Sequence, residues 1–311
     1  MVLSADARDD VVAEELLPLK QGVSLASYTS YRVGGEAEWF LMPKTVAQLA
    51  SGLQWAVRQG LPVRMLGAGS NLLVSDRGLP GLVICSRHLR GISFDDAKGQ
   101  LIVAGGEPLP NLAWKAARKG WRGLEWAVGV PGTAGGAVFM NAGAHGACIA
   151  DSLIGAEGLT LTGGTVKLLP EDLRFSYRIS SLQSQLRMVT QAVFQLSPGH
   201  RPETVIADTQ AALERRRSMQ PYHLPSCGSV FRNPEAHAAG WLIEQTGLKG
   251  YQIGGAQVST LHANFIVNCG RATAQDVLSV IRCVQQQVEQ QWSLRLHPEV
   301  RLMGDFESEH P

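Results

Sequence analysis

No apolar run in the 311-residue chain approaches the roughly 18 residues that a bilayer span needs, so no membrane-crossing helix is expected. Cysteine is scarce: Cys85, Cys148, Cys227, Cys269 and Cys283 are odd in number and never spaced C-x-x-C. Neither a disulfide framework nor a zinc site is implied, and reduced thiols in a cytoplasmic protein that needs no metal are expected. An excess of either charge is missing too. The 28 Lys and Arg against 27 Asp and Glu leave a net charge of +1, which argues against nucleic acid as a partner because phosphate binding needs a clustered positive field. Asp6, Asp9, Asp10, Glu14 and Glu15 leave no room for a secretory apolar segment near the start. With 6% aromatic residues and no G-X-Y repeat, low-complexity and collagen-like readings fail. Glycine alone is in surplus, with 34 residues, and it belongs in tight turns or where backbone closely approaches a ligand.

The length suggests about two domains. Residues 1–20 read as a polar lead-in with one short helix. Thr45-x-x-Gln48 has capping-box spacing ahead of Leu49, Leu53 and Ala56, and Gly60 follows as a stop signal. Strand-like runs flank Gly67–Asn71 and recur at 82–85, 101–104, 153–168 and 187–196. A second helix is expected over Leu109–Lys119, closed by Gly120. The six glycines between Val128 and Gly146 read as one long loop. Residues 197–202, with two prolines and a glycine, read as a linker, giving domains at 1–198 and 203–311. Helices follow over 203–218 and from Thr273, where Thr273-x-x-Asp276 precedes the stripe Val277, Val280, Ile281, Val284 and Val288.

Gly67-x-Gly69 opens like a dinucleotide fingerprint, but Leu72 stands where the third glycine should be and an apolar strand follows instead of a helix. Two readings remain for this loop: a β-hairpin turned by glycine, or a nest of backbone amides that receives a pyrophosphate, with donors from Ser70 and Asn71. The denser segment Gly129–Gly146 favours the second, because two separated glycine-rich loops suit a long ligand with a phosphate bridge.

Seven segments carry a resemblance: Tyr28-Thr-Ser-Tyr-Arg-Val-Gly-Gly35, Leu66-Gly-Ala-Gly-Ser-Asn-Leu72, Gly123-Leu-Glu-Trp-Ala-Val-Gly-Val-Pro-Gly-Thr-Ala-Gly-Gly136, Met140-Asn-Ala-Gly143, Phe175-Ser-Tyr-Arg-Ile-Ser180, Pro225-Ser-Cys-Gly-Ser-Val-Phe-Arg-Asn-Pro234 and Pro298-Glu-Val-Arg301. In this order they resemble the UDP-N-acetylenolpyruvoylglucosamine reductase family. The resemblance implies an α+β protein: an FAD-binding domain of the vanillyl-alcohol-oxidase (PCMH) type and a smaller α+β substrate domain. It implies non-covalent FAD, NADPH as reductant, a UDP-sugar as small-molecule substrate and a step of peptidoglycan precursor synthesis. The short stretch between Arg178 and Ser229 resembles the shorter subtype of the family, although Leu261 stands where many such members have Lys.

For cofactor binding the resemblance implies Arg32, Gly67, Ala68, Gly69, Ser70, Asn71, Leu72, Pro131, Gly132, Thr133, Gly136, Asn141, Gly143, Ala144, His145 and Gly146. For the substrate it implies Tyr177 and Asn233, with Arg216 and Arg217 as further diphosphate candidates against a solvated helix end. For catalysis it implies Arg178, Ser229 and Glu299. Reduction of an enolpyruvyl ether delivers hydride from flavin N5 to the terminal carbon, while negative charge develops on the adjacent carbon and the substrate carboxylate. Ser229 then resembles the proton donor. Arg178 resembles the fork that binds the carboxylate, and Glu299 an acid that helps most with a raised pKa. The alternatives are another FAD-dependent sugar or alcohol oxidase of the same fold, or a non-catalytic flavin- or nucleotide-binding module.

Overall fold

The computed structural model describes residues 17–185 and 187–306, so the helix expected in the lead-in falls largely outside the described residues. By contacts the chain forms two units, each assembled from separate stretches. The first takes the residues up to Gln21, Trp39–Ala68 and Pro80–Leu213; the second takes Gly22–Glu38, Gly69–Leu79 and the chain from Glu214 onward. This differs from the expected consecutive domains, 1–198 and 203–311. The linker-like residues are held within the first unit: Ser197 and Arg122 exchange backbone hydrogen bonds of 2.9 and 3.0 Å, and His200 donates to the Gly120 carbonyl at 3.0 Å. The changeover falls instead inside the helix Pro202–Met219. Gly69–Leu79 joins the C-terminal unit because Leu72–Val74 pairs in parallel with Arg301–Met303, a long-range match with no local signature.

In the first unit a five-stranded antiparallel sheet runs in the order Thr165–Leu168, Leu153–Thr160, Arg187–Gln195, Gln100–Ala104, Ile92–Asp95. Its alternating residues Leu101, Val103, Ala192 and Phe194 are buried with Leu109, Leu112 and Ala116 from the helix Leu109–Arg118. The same unit pairs the strand Val63–Leu66 in parallel with Leu79–Cys85. The helix Val46–Arg58 packs Leu49, Leu53 and Ala56 with Leu41, Leu82 and Ile84. Each fully buried leucine contributes about 1.5–3 kcal/mol relative to exposure. The helix starts where the spacing predicts: Thr45 Oγ1 accepts the Gln48 N–H at 3.1 Å, while Gln48 Oε1 takes the Lys44 N–H at 2.9 Å.

The glycine-rich segment 128–146 differs from the expected loop, for it contains the helix Ala134–Met140. A two-residue hairpin follows, Gly143–Ala144 against Ala147–Cys148, turned at His145 and Gly146 with φ of 54° and 82°. The apolar residues Ala134, Ala137, Val138 and Met140 outweigh the helix cost of Gly135 and Gly136, because the buried face supplies what propensity lacks.

In the second unit the helix Ala274–Trp292 buries Val277, Val280, Ile281, Val284 and Val288, as the spacing requires. It begins in a full capping box between Thr273 and Asp276, and the Asp76 carboxylate takes the Ala274 and Gln275 N–H groups at 2.9 and 3.0 Å. Anionic oxygens at this end suit the positive pole of the helix. The helix covers a three-stranded sheet, Gln252–Ile253, Ala256–Val258, Ile266–Asn268, and their shared core includes Tyr31, Leu73, Phe231 and Val300.

Candidate active site

Within the first unit the two glycine-rich loops meet. A Cβ on Gly67 would lie 2.7 Å from Thr133 Oγ1, so any larger residue there would have to displace that hydroxyl. Thr133 caps the helix Ala134–Met140, its Oγ1 accepting the Gly136 N–H at 3.2 Å. The Ala134 and Gly135 N–H groups donate to Glu107 and Gly105 carbonyls at 2.8 Å each. The first three amides of this helix are therefore used by the protein itself, and backbone outside the helix is what remains for a ligand. The hairpin reading of the first loop fails, because Val63–Leu66 and Leu72–Val74 each take a different partner strand. At the loop, the Gly67 carbonyl faces Cys85 Sγ at 3.6 Å and the Ala68 carbonyl accepts from Arg87 Nη2 at 2.5 Å. Burial pushes the Cys85 thiol up in pKa, and the adjacent Arg87 pulls it back.

Arg178 sits in the left-handed region, φ 60°, inside a turn closed by reciprocal Ser176 and Ile179 bonds of 3.1 Å. Its Nη2 donates to the Gly143 carbonyl at 2.7 Å, and its guanidinium lies 5.1 Å from the centre of the exposed Tyr177 ring. Asn141 ties this turn to the glycine-rich segment: Nδ2 donates to the Ser176 carbonyl and Oδ1 accepts the Ala150 N–H, both at 3.0 Å. Gln183 adds a bond to the Arg178 carbonyl at 2.9 Å. Asn141, Gly143 and Arg178 are thus in one bonded group, with the exposed His145 and Gly146 at the hairpin tip and Ala144 beside them.

The second unit gathers another set. Glu299 N–H donates to the Val230 carbonyl at 2.7 Å, which sets the Glu299 segment directly beside the half-buried Ser229. Asn71 Nδ2 reaches the Glu299 carbonyl at 3.1 Å, and the Asn71 carbonyl accepts the Arg301 N–H at 3.0 Å. Leu72 then opens the parallel pairing with Arg301. Gly228, φ 83°, has open space around its Cβ position, so glycine serves the turn there and not a close approach. At Gly69, φ 67°, the reverse holds, since a Cβ would overlap the Tyr28 carbonyl. The chain itself requires that glycine, where sequence reasoning assigned the need to phosphate.

The remaining candidates are more scattered. Arg32 is exposed on a turn at φ 58°. The exposed Asn233 uses Oδ1 to accept the Ala239 N–H at 3.0 Å, at the start of the helix Ala239–Gln245. Arg216 is half-buried and Arg217 exposed in the last turn of their helix, so the run of arginines does not face one way. Leu261 is exposed.

Three residues escaped the sequence reading. Asn264, 3% exposed, clamps the Ser229 loop: Oδ1 accepts the Phe231 N–H at 2.9 Å, Nδ2 donates to the Phe231 carbonyl at 2.8 Å, and its own carbonyl takes the Val230 N–H at 2.8 Å. His262 Nδ1 accepts the Asn264 N–H at 3.2 Å. Burial lowers the His262 pKa, helped by Lys249 and Arg216 and opposed by a bond to its own backbone and by Glu244. Arg87, at the first loop, is the third. Beneath the Ser229 loop lies Cys227, its thiol pushed up to about 12 by burial and by the Glu299 charge, with the buried Tyr31 hydroxyl beside it. Among the described residues no group of His, Cys, Asp and Glu is arranged to hold a metal ion, and no helix is long and apolar enough to cross a membrane.

Comparison with known proteins covers both units. The family model for the C-terminal domain of UDP-N-acetylenolpyruvoylglucosamine reductase matches residues 220–303, and that for an FAD binding domain matches 37–169. The UDP-N-acetylenolpyruvoylglucosamine reductase of Nostoc punctiforme is 57% identical over 289 residues, covering 93% of this chain and 87% of its own. That of Synechococcus sp. (strain JA-3-3Ab) is 55% identical, covering 93% and 92%. Among solved structures, UDP-N-acetylenolpyruvylglucosamine reductase from Thermus caldophilus superposes with a TM-score of 0.78 at 36% identity, covering 93% of this chain and 99% of that one.

Proposed function

The chain belongs to the UDP-N-acetylenolpyruvoylglucosamine reductase family, and from that premise we propose that it reduces the enolpyruvyl ether of UDP-N-acetylglucosamine enolpyruvate to UDP-N-acetylmuramate, in the cytoplasm, with Ser229, Arg178 and Glu299 as its catalytic residues. It is an FAD-dependent oxidoreductase of peptidoglycan precursor synthesis. The observation that carries the assignment of residues is the bonded group in the second unit, where Glu299 donates to Val230 next to Ser229 and Asn71 of the flavin loop donates to Glu299.

The residues fit FAD. Gly67 and Thr133 bring the two glycine-rich loops against each other, so Gly67–Leu72 and Pro131–Gly146 are the segments that would hold it. When bound, FAD supplies a two-electron relay, accepting hydride from NADPH and passing it to the terminal carbon of the double bond. Ser229 gives its proton to the adjacent carbon, completing addition of H⁻ and H⁺ across the alkene. A serine hydroxyl is a weak acid, but the enolate that forms beside the carboxylate is basic enough to take the proton. Arg178, permanently charged and braced by Gly143 and Gln183, binds the carboxylate and attracts it more strongly as charge accumulates. Glu299 sits beside the proton donor to support the same charge. Tyr177 and Asn233 complete the substrate contacts.

The experiment is steady-state NADPH oxidation by the purified yellow protein, with and without the enolpyruvyl sugar, and identification of the product. Consumption that requires the sugar and yields the lactyl ether supports the assignment. Rapid NADPH oxidation by oxygen, indifferent to the sugar, would make the protein an oxidase of the same fold.

A further inference from the structure

We propose that Arg87 is the positioning residue of the FAD pyrophosphate loop, turning the carbonyls of that loop away from the cofactor so that its amides face it. The inference rests on the reading that Gly67–Leu72 holds FAD. The strand Leu79–Cys85 runs beside Val63–Leu66 with Cys85 opposite Leu66, and the chain then turns at Ser86–His88. This turn sets Arg87 next to the start of the loop, where Nη2 takes the Ala68 carbonyl at 2.5 Å and Cys85 Sγ faces the Gly67 carbonyl at 3.6 Å. Two successive carbonyls are therefore drawn to one side.

In a planar trans peptide the N–H points opposite to the C=O. Fixing the Gly67 and Ala68 carbonyls on the Cys85–Arg87 side turns the Ala68 and Gly69 N–H groups the other way. Neither amide donates to another protein atom among the described residues. Successive amides turned outward make an anion-binding concavity, and the half-buried guanidinium behind them adds a permanent positive charge that no neutral donor could replace. Thr133 Oγ1 lies on the side of Gly67 where a Cβ would stand, so the loop starts against the second glycine-rich segment. The orientation of the Ala68–Gly69 peptide is then set by the one side chain that binds its oxygen.

The test uses the full-length protein purified with its FAD, in wild-type, Arg87→Ala and Arg87→Lys forms. FAD release is followed as the rise in free-flavin fluorescence, and affinity by retitration after the flavin is stripped. Arg87→Ala is expected to bind FAD about ten- to a hundredfold more weakly, the range of one charge-assisted hydrogen bond. Arg87→Lys is expected to fall between, and added guanidinium ion to restore part of the affinity of the alanine variant. The stripped proteins are expected to melt alike. Unchanged FAD affinity in Arg87→Ala overturns the role while leaving the loop assignment intact. A loss that guanidinium does not repair, accompanied by an equally lowered melting temperature of the stripped protein, makes Arg87 structural only and also overturns it. A wild-type protein that neither carries nor takes up FAD removes the loop reading itself.

Discussion

Asn264 is the side chain on which the Ser229 loop depends most, and Asn264→Ala measures that dependence. The substitution deletes two buried bonds, to the Phe231 N–H at 2.9 Å and to the Phe231 carbonyl at 2.8 Å. Phe231 is 1% exposed, so water does not replace them easily. A buried peptide group left unpaired costs about 1–3 kcal/mol, which makes about 2–6 kcal/mol for the two. At roughly 2–4 °C per kcal/mol for larger domains, a fall in melting temperature of about 10 °C is expected. The main-chain bond from Val230 to the Asn264 carbonyl survives, so the loop loosens without being cut free. Asn264→Asp sharpens the test: it keeps an acceptor for the Phe231 N–H but sets a carboxylate oxygen against the Phe231 carbonyl, and it should be no more stable than the alanine variant. Circular dichroism melts of the three proteins at equal flavin occupancy give the answer. A drop of less than about 2 °C in Asn264→Ala would show that water or repacking satisfies Phe231, and the clamp would be refuted.

His262 gives the account a pH dependence. Its folded pKa lies below the unfolded value near 6.5, so the folded protein binds fewer protons; stability is complete above about pH 6.5 and is lost as pH falls through the folded pKa. Protonation also removes the Nδ1 acceptor of the Asn264 N–H. Melting temperatures at about pH 8 and about pH 5.5 should differ less in His262→Gln than in wild type, and an equal difference would count against this histidine. For Arg178→Lys, the charge stays but the planar fork goes, and with it the hold on Gly143. Turnover at saturating enolpyruvyl sugar should fall while NADPH still reduces the flavin normally; equal turnover would deny Arg178 a part in charge stabilisation.

Features written in a few neighbouring residues are legible in the sequence. The stripe Val277–Val288 and the Thr273–Asp276 box are local, as is the Thr45 cap, and each forms as spacing demands. The region 134–140 was not legible as a helix because glycine density masks the apolar face that buries it. Nor was the second unit's composition, since Leu72–Val74 finds Arg301–Met303 only across the whole chain. The motif residues Asn71, Ser229 and Glu299 stood out by resemblance, yet what joins their segments is one Asn71 side-chain bond to the Glu299 carbonyl and main-chain bonds that any residue type can make. Asn264 and Arg87 act by binding carbonyls far along the sequence, and a lone Asn or Arg carries no sign of that. Gly69 was legible as a glycine that must be glycine, but the reason proved to be the Tyr28 carbonyl.

The central claim is that Ser229 protonates the substrate carbon, and it is tested most directly by following the two half-reactions of Ser229→Ala separately by stopped-flow absorbance. NADPH should bleach the flavin of the variant at close to the wild-type rate, because that step needs no proton from Ser229. Reoxidation by the enolpyruvyl sugar should slow by about 10²–10⁴-fold, the usual loss for a missing general acid. Equal slowing of both half-reactions would contradict the account, making Ser229 a residue that shapes the flavin site and leaving Glu299 as the first candidate for the proton donor.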